Sequence, residues 1–196
     1  MAAYGAKVNE YILAGEYWRF LTPVFLHGSI LHIAFNMYAL KALGPGLERH
    51  YGRIRFLILY LLSGFAGVVF SFLFSKDASL GSSTAIFGLL AAEGVFVYRN
   101  RRMFGETAKR ALREIITIAG VNLLIGLSPG IDNWGHVGGL LGGALFAWLA
   151  GPVLDVRGLL PNLEMVDRRD NGDVWRAALV VGVVFSLLAA SKFFTG

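Results

Sequence analysis

The chain has 196 residues, of which 56% are hydrophobic and 16% are charged, and its mean hydropathy is +0.60. This composition excludes an ordinary soluble domain and predicts a membrane protein. The absence of cysteine excludes disulfides, cysteine-bound metals and thiol catalysis. The formal net charge of +5 could indicate a nucleic-acid partner, but the positions of the basic residues favour a role in membrane topology instead.

Residues 1–27 contain neither a spanning segment nor a secretory signal pattern. Aromatic residues such as Tyr17, Trp18 and Phe20 stand among polar ones. Because aromatic side chains are favoured where membrane meets water, we expect an external interfacial loop or short helix that lies along the membrane surface.

Six apolar segments follow, joined by short polar connections, and they indicate membrane-spanning helices. They cover, to within two to four residues, 28–45, 54–75, 83–98, 112–128, 136–153 and 174–193. The sequence therefore predicts an all-α fold, a polytopic membrane helix bundle, in which 1–196 form a single domain. Its core spans lie in 28–153, a cytoplasmic loop covers 154–173, and 174–193 is an additional C-terminal span.

The basic residues predict the orientation of this bundle. Of the 18 Lys and Arg residues, 14 fall in three connecting regions, 41–55, 99–113 and 157–176. Because basic residues accumulate on the cytoplasmic side, residues 1–27, 75–82 and 128–135 are predicted to be extracytoplasmic. We therefore expect a multi-pass integral protein of the cell (inner) membrane. A lipid-binding face is an alternative role for the basic residues, whereas nucleic-acid binding is disfavoured.

The first segment carries polar groups that are costly inside a membrane. His32 and Asn36 stand four residues apart and share one helix face. Such a pair either stabilises the oxyanion of a tetrahedral intermediate or forms an interhelical hydrogen bond. His27 precedes the segment and is expected to tie down the external loop. Together with His136 these histidines could bind a metal, but no fourth ligand stands at a useful spacing, so no metal is predicted.

The third segment begins with two serines behind Gly81. From Ser83 to Tyr98 it has 16 residues, about 24 Å of helix, whereas a bilayer core is about 30 Å thick. Since Arg99 holds the other end in water, Ser83 should lie below the external membrane surface, inside protein or beside a water-filled cavity. A hydroxyl in that position is a candidate nucleophile.

His136 opens the fifth segment, and Gly139 and Gly143 follow it on the same helix face. Missing side chains allow a neighbouring helix to approach closely. If that neighbour is the Ser83 helix, the imidazole comes within hydrogen-bond reach of the serine and can accept its proton near neutral pH. A glycine face that only packs helices is the alternative. Phe87, four residues after Ser83, could stack on the imidazole or be an ordinary core side chain.

With these motifs in this order, the chain resembles the rhomboid family of intramembrane serine proteases between residues 5 and 153. The resemblance is carried by four motifs: the Trp18-Arg19 pair, H-x4-H-x3-N at His27, His32 and Asn36, G-x-S at Gly81 and Ser83, and H-x2-G-x3-G at His136, Gly139 and Gly143. By the same resemblance the family's usual first span is missing from this chain, and 174–193 corresponds to the extra C-terminal span of some members.

The resemblance implies a catalytic dyad of Ser83 as nucleophile and His136 as general base. It also implies an oxyanion hole from His32, Asn36 and the Ser83 backbone, with Phe87 against the histidine. Substrates in this family are single-span membrane proteins, so transmembrane proteins and membrane lipid are the expected partners. No cofactor and no nucleic acid are expected, and the active site should open to the extracytoplasmic side.

Two other functions stay open. A catalytically silent family member could bind membrane-protein clients, although a pure binder would need neither Ser83 nor His136. A small transporter or channel could use a polar path through His32, Asn36 and His136, but the cytoplasmic halves of the segments are largely apolar.

Overall fold

The computed structural model describes residues 2–158 and 162–195. These residues form the predicted all-α helix bundle, with one small hairpin added to it. In chain order the elements are α1 (Ala2–Gly5), α2 (Asn9–Leu13), two 3₁₀ helices (Tyr17–Phe20 and Thr22–Phe25), α3 (Ile30–Tyr51), α4 (Arg53–Phe74), α5 (Ser83–Arg99), α6 (Arg101–Phe104), α7 (Glu106–Ile125), α8 (Asn133–Ala150), β1 (Leu154–Arg157), β2 (Glu164–Asp167) and α9 (Asn171–Thr195).

Two helices of the described residues, Arg53–Phe74 and Asn171–Phe194, are by themselves long and apolar enough to cross a membrane. The helix that begins at Ser83 is shorter, with 17 residues. The helix that begins at Glu106 carries charged residues in its first turns. The number of six spans therefore stays a prediction.

The first and fourth apolar segments were predicted with the wrong boundaries. Helix α3 ends at Tyr51 rather than near residue 45 and runs through Pro45. A proline inside a helix removes one backbone hydrogen bond, and here the helix continues until Gly52, whose φ of 75° ends it. Helix α7 begins at Glu106 instead of residue 112, because its first turns are polar and do not show in an apolar pattern.

The predicted loop 154–173 contains a hairpin that the sequence analysis missed. Strands β1 and β2 pair antiparallel, with Leu154 opposite Asp167. Residues 159–161 lie outside the described residues. The amide of Asn100, which is buried, donates to the carbonyl of Pro152 (3.0 Å) and accepts from the N–H of Leu154 (2.7 Å). The hairpin is thereby held against the end of α5.

The centre of the bundle is formed by α4, α5 and α8, which pack against one another. A Cβ atom placed on Gly139 would collide with the carbonyl oxygen of Thr84, and one on Gly143 would collide with the backbone of Gly88. The backbones of α5 and α8 are therefore in direct contact. The predicted glycine face does pack helices closely, and its neighbour is the helix that begins at Ser83.

We expect Gly143→Ala to lower the free energy of unfolding by about 1–3 kcal/mol, because overpacked cores lose energy in that range. The measurement is the thermal unfolding midpoint of the purified protein in detergent. Gly182→Ala is the matched control, since a Cβ there meets nothing within 4 Å. An equal loss in both variants would remove close backbone packing as the cause.

Candidate active site

Ser83 is the first residue of α5 and follows a tight glycine turn. Gly81 has a φ of +133°, and its N–H donates to the carbonyl of Pro23 (2.9 Å). A Cβ on Gly81 would stand only 2.7 Å from the ring of His32. Glycine is therefore required here, both for the backbone conformation and for the approach of the imidazole. As the helix begins at Ser83, its first backbone N–H groups have no partner within the helix.

His136 reaches Ser83 from α8. Its Nε2 lies 3.0 Å from Ser83 Oγ, within hydrogen-bond distance. Asp132 caps the start of α8, where its Oδ1 accepts the N–H of Gly135 (3.0 Å). His136 itself is 7% exposed. The cap and the close packing of α8 on α5 together set the position of the imidazole relative to the serine.

Phe87 covers one face of the His136 imidazole. The two rings are stacked, with their centroids 4.2 Å apart and an angle of 8° between the planes. His136 Nδ1 has no hydrogen-bond partner among the described residues. The stacking contact therefore limits the rotation of the ring in a place where many serine enzymes use a carboxylate.

Three polar side chains lie around the start of α5. Asn36 is buried, and its Nδ2 has no hydrogen-bond partner among the described residues. The rings of His27 and His32 contact each other edge to face, with centroids 5.1 Å apart. His27 Nε2 lies 3.2 Å from Ser82 Oγ. Burial, and next the charge of His32, lowers the pKa of His27 below its ordinary value.

Ser83 and His136 line a cavity of about 790 Å³. The side chains of His32, Asn36 and Phe87 line the same cavity, as do residues of α7 and of the loops before α5 and α8. An unpaired amide donor in a cavity that also holds a serine and an imidazole is able to bind a developing oxyanion. No three His, Cys, Asp or Glu side chains in the described part of the chain converge as metal ligands would.

The loop before Ser83 is held by residues of the N-terminal region. The fully buried Lys7 donates its ammonium group to the carbonyls of Ser75 (2.8 Å) and Asp77 (2.9 Å). Its backbone pairs with that of Ser79. Asn9 donates to the Ser75 carbonyl as well (3.0 Å). Burial lowers the pKa of Lys7 to about 8, against the attraction of Asp132 and Asp77.

Trp18 and Arg19 form no hydrogen bond with Ser83 or His136. Arg19 is buried and donates to the carbonyl of Ala6 (2.7 Å) and to the carboxylate of Glu16. Trp18 is half exposed and donates its indole N–H to the carbonyl of Tyr4 (3.1 Å). Both side chains fold the N-terminal region on itself, so their effect on the site is indirect.

Two contacts at this site were missed by sequence reasoning. One is the hydrogen bond between His27 and Ser82, because His27 was expected only to tie down the external loop. The other is the burial of Lys7, which has no motif around it. Each joins residues that lie more than 50 positions apart, and no short-range spacing signals such a pair.

Comparisons with known proteins agree on one family. A family model of the rhomboid domain matches residues 14–153. The chain is 42% identical over 186 residues to the rhomboid protease GluP of Bacillus subtilis (strain 168), which covers 94% of this chain and 34% of that protein. It is 36% identical over 154 residues to RHOMBOID-like protein 9, chloroplastic, of Arabidopsis thaliana, which covers 78% of this chain and 36% of that protein.

A further plant relative is RHOMBOID-like protein 7 of Arabidopsis thaliana, 38% identical over 135 residues, or 68% of this chain and 43% of that protein. The chain thus spans only 34% to 43% of the length of these three curated relatives.

The burial of Lys7 predicts a pH dependence of stability. Between pH 8 and 10.5 the unfolded chain still holds the lysine proton, whereas the folded chain has released it. The free energy of unfolding due to Lys7 therefore rises with pH in this window, by at most about 3 kcal/mol. We expect the unfolding midpoint of wild type to rise relative to that of Lys7→Met as the pH increases from 8 to 10. Relative to Lys76→Met, which changes an exposed lysine of the same loop, the wild-type midpoint should show no such rise. A constant difference between wild type and Lys7→Met over this range would contradict the assignment of the pH dependence to Lys7.

Proposed function

The chain belongs to the rhomboid family, and from that membership we propose that it is an intramembrane serine endopeptidase that cleaves single-span membrane proteins in or near the bilayer. Members of this family are integral membrane proteins. The observation that carries the proposal is the 3.0 Å separation of Ser83 Oγ and His136 Nε2 beside a cavity. A hydroxyl and an imidazole at this distance are able to share a proton.

In the proposed reaction, His136 Nε2 takes the proton of Ser83 as the serine oxygen attacks the scissile carbonyl of the substrate. The imidazolium then gives that proton to the departing amine, and the substrate's acyl group stays on Ser83. A water molecule then attacks the ester carbonyl, with His136 again as the base. The acid is released, and Ser83 regains its proton from His136. Phe87 keeps the imidazole plane in place during both halves.

The oxyanion of the tetrahedral intermediate is assigned to Asn36 Nδ2, the imidazole of His32 and the backbone N–H of Ser83. The support for Asn36 is its unpaired donor beside the cavity, because a buried N–H without a partner is costly unless a ligand uses it. The support for His32 is its close contact with Gly81, two residues before the nucleophile. His27 and Ser82 hold each other and act as positioning residues.

The proposed depth of the reaction follows from the length of α5. Its 17 residues are about 25 Å of helix, less than the roughly 30 Å of a bilayer core. With the basic end of α5 at the cytoplasmic surface, Ser83 is below the opposite surface. The active site then opens to the extracytoplasmic side, and a substrate helix must unwind there to expose a peptide bond.

The alternative function is a catalytically silent family member that binds membrane-protein clients. A binder has no use for a serine–imidazole hydrogen bond backed by a stacked phenylalanine, and it does not need a buried amide donor left without a partner. Those two features favour the protease.

We expect Ser83→Ala to abolish cleavage of a reconstituted single-span substrate and labelling by a fluorophosphonate probe, with thermal stability near that of wild type. Ser128→Ala is the matched control, because Ser128 is an exposed serine that does not line the cavity. It should keep both reactions. Undiminished cleavage by Ser83→Ala would exclude Ser83 as the nucleophile, and a folded wild type that neither cleaves nor labels would favour the silent member.

For Asn36→Ala and Asn36→Asp we expect kcat to fall by about 10²–10³-fold, since both remove the N–H that binds the oxyanion. KM should change little. Because Asn36 Nδ2 has no partner among the described residues, its loss should cost little stability. Met37→Ala, the exposed neighbour on α3, serves as control. A full rate in Asn36→Asp, or an equal loss in Met37→Ala, would argue for a structural role instead.

A further inference from the structure

A second pocket lies at the end of α5 opposite to Ser83. It has a volume of about 430 Å³ and is enclosed by α6, by residues 153–156 at the start of the hairpin, and by Arg168. The 17 residues of α5, about 25 Å of helix, separate it from the candidate active site. Nothing in the proposed proteolysis uses this pocket.

The pocket carries uncompensated positive charge. Four arginines and one aspartate line it: Arg99, Arg101, Arg102, Arg168 and Asp155. No carboxylate of the described residues forms an ion pair with any of these four arginines. Asp155 therefore faces four arginines alone, while Asp167 and Asp173 are paired with arginines outside the pocket, Arg55 (2.7 Å) and Arg176 (2.9 Å). The charge of Arg169 also acts on Arg99 as a repulsion. An anionic ligand would relieve this imbalance.

Two aromatic rings contact two of the arginines that line the pocket. Tyr98 and Trp148 stack with their centroids 6.3 Å apart, and both are about half exposed, at 45% and 49%. The guanidinium of Arg99 lies 5.0 Å from the ring of Trp148, and that of Arg101 lies 4.4 Å from the ring of Tyr98. Exposed tyrosine and tryptophan beside arginine are typical of the level where lipid headgroups meet the apolar membrane.

The same two rings also line an apolar groove of about 340 Å³ between α5, α7 and α8. Apart from these rings its walls are aliphatic or glycine, for example Leu90, Ile115 and Leu140. The two rings that line the groove thus contact two arginines that line the pocket, Arg99 and Arg101. A basic pocket next to an apolar groove fits a molecule with an anionic head and a hydrocarbon tail.

Much of the arginine pocket is already ordered. Arg99 donates to the carbonyl of Trp148 (2.8 Å), and Arg101 donates to the carbonyl of Tyr98 (2.8 Å). Asn100 between them is buried and fixes the hairpin wall. Arg102 and Arg168 are exposed and have no such bond among the described residues. Binding therefore costs little ordering of the first two arginines, while the other two are available to close on a ligand.

We propose that this pocket binds the phosphate headgroup of an anionic phospholipid, with one acyl chain in the groove between α5, α7 and α8. The recognition is by charge-assisted hydrogen bonds from guanidinium groups to phosphate oxygens, a geometry for which arginine is well suited. The basic side of the chain is the predicted cytoplasmic side, where anionic lipids attract basic residues. The site is independent of Ser83 and of proteolysis.

The test uses the full chain in a neutral detergent, with binding followed by native mass spectrometry. Phosphatidylglycerol and phosphatidylcholine with identical acyl chains are titrated separately, and inorganic phosphate is added as a competitor. We expect tight binding of one phosphatidylglycerol and much weaker binding of phosphatidylcholine. Phosphate should compete only far above the lipid concentration, because it cannot use the groove.

Arg102→Gln/Arg168→Gln is the test variant, because neither side chain has a bond that the fold needs. It should bind phosphatidylglycerol about 25-fold more weakly, at about fivefold for each arginine. Arg110→Gln/Arg113→Gln is the matched control, with the same loss of charge at exposed positions of α7 outside the pocket. It should bind as wild type does.

Three outcomes would overturn the proposal. The control pair could lose as much affinity as the test pair, which would show that the net charge of the protein, and not this pocket, determines binding. Phosphatidylcholine could bind as tightly as phosphatidylglycerol, which would exclude recognition of the anionic headgroup. Inorganic phosphate could displace the lipid at an equal concentration, which would make the pocket a site for free anions rather than for lipid.

Discussion

The close approach of α5 and α8 is the constraint on which the candidate site depends. Gly139 and Gly143 leave no room for a side chain against the backbone of α5, so the two helices are nearer than side chains would allow. Only at this separation does an imidazole from one helix reach a hydroxyl on the other. The hydrogen bond between Ser83 and His136 is thus a product of main-chain packing, and the two side chains need no long reach to make it.

A second constraint is the fixing of the chain just before Ser83. Residues 75–82 have no helix of their own, and irregular backbone at this depth requires protein around it. Lys7 and Asn9 supply that support by donating to carbonyls of the loop, while Pro23 accepts the N–H of Gly81. The N-terminal region therefore helps to hold the start of α5 in place.

Much of this arrangement could be predicted from the sequence, since it depends on local spacing. The helices at 83–98 and 174–193 were expected from predominantly apolar runs, and the family resemblance, which the comparisons confirm, came from short motifs. The early start of α7 was missed because charged first turns resemble a loop. The hairpin was missed although Leu154–Arg157 alternates apolar and charged residues, because two short strands give little signal.

The parts of the site that could not be predicted depend on contacts between distant residues. The bond from His27 to Ser82 and the clamp of Lys7 on 75–79 exist only once the bundle has formed. The pocket of arginines was visible in the sequence only as basic residues on one side of the membrane. Its walls require the hairpin and the bond network of Asn100, which no motif announces.

The length of α5 has a consequence for the proposed proteolysis. Helix α5 carries the basic pocket at one end and Ser83 at the other, about 25 Å away. In the proposed orientation, whatever anchors the basic end of α5 to the inner leaflet sets the depth of Ser83 in the membrane. If the chain is the proposed protease, a thicker bilayer places Ser83 further from the outer surface, and the cleaved bond shifts along the substrate by the added thickness. The bond would then be selected by its depth in the membrane as well as by the side chains around it.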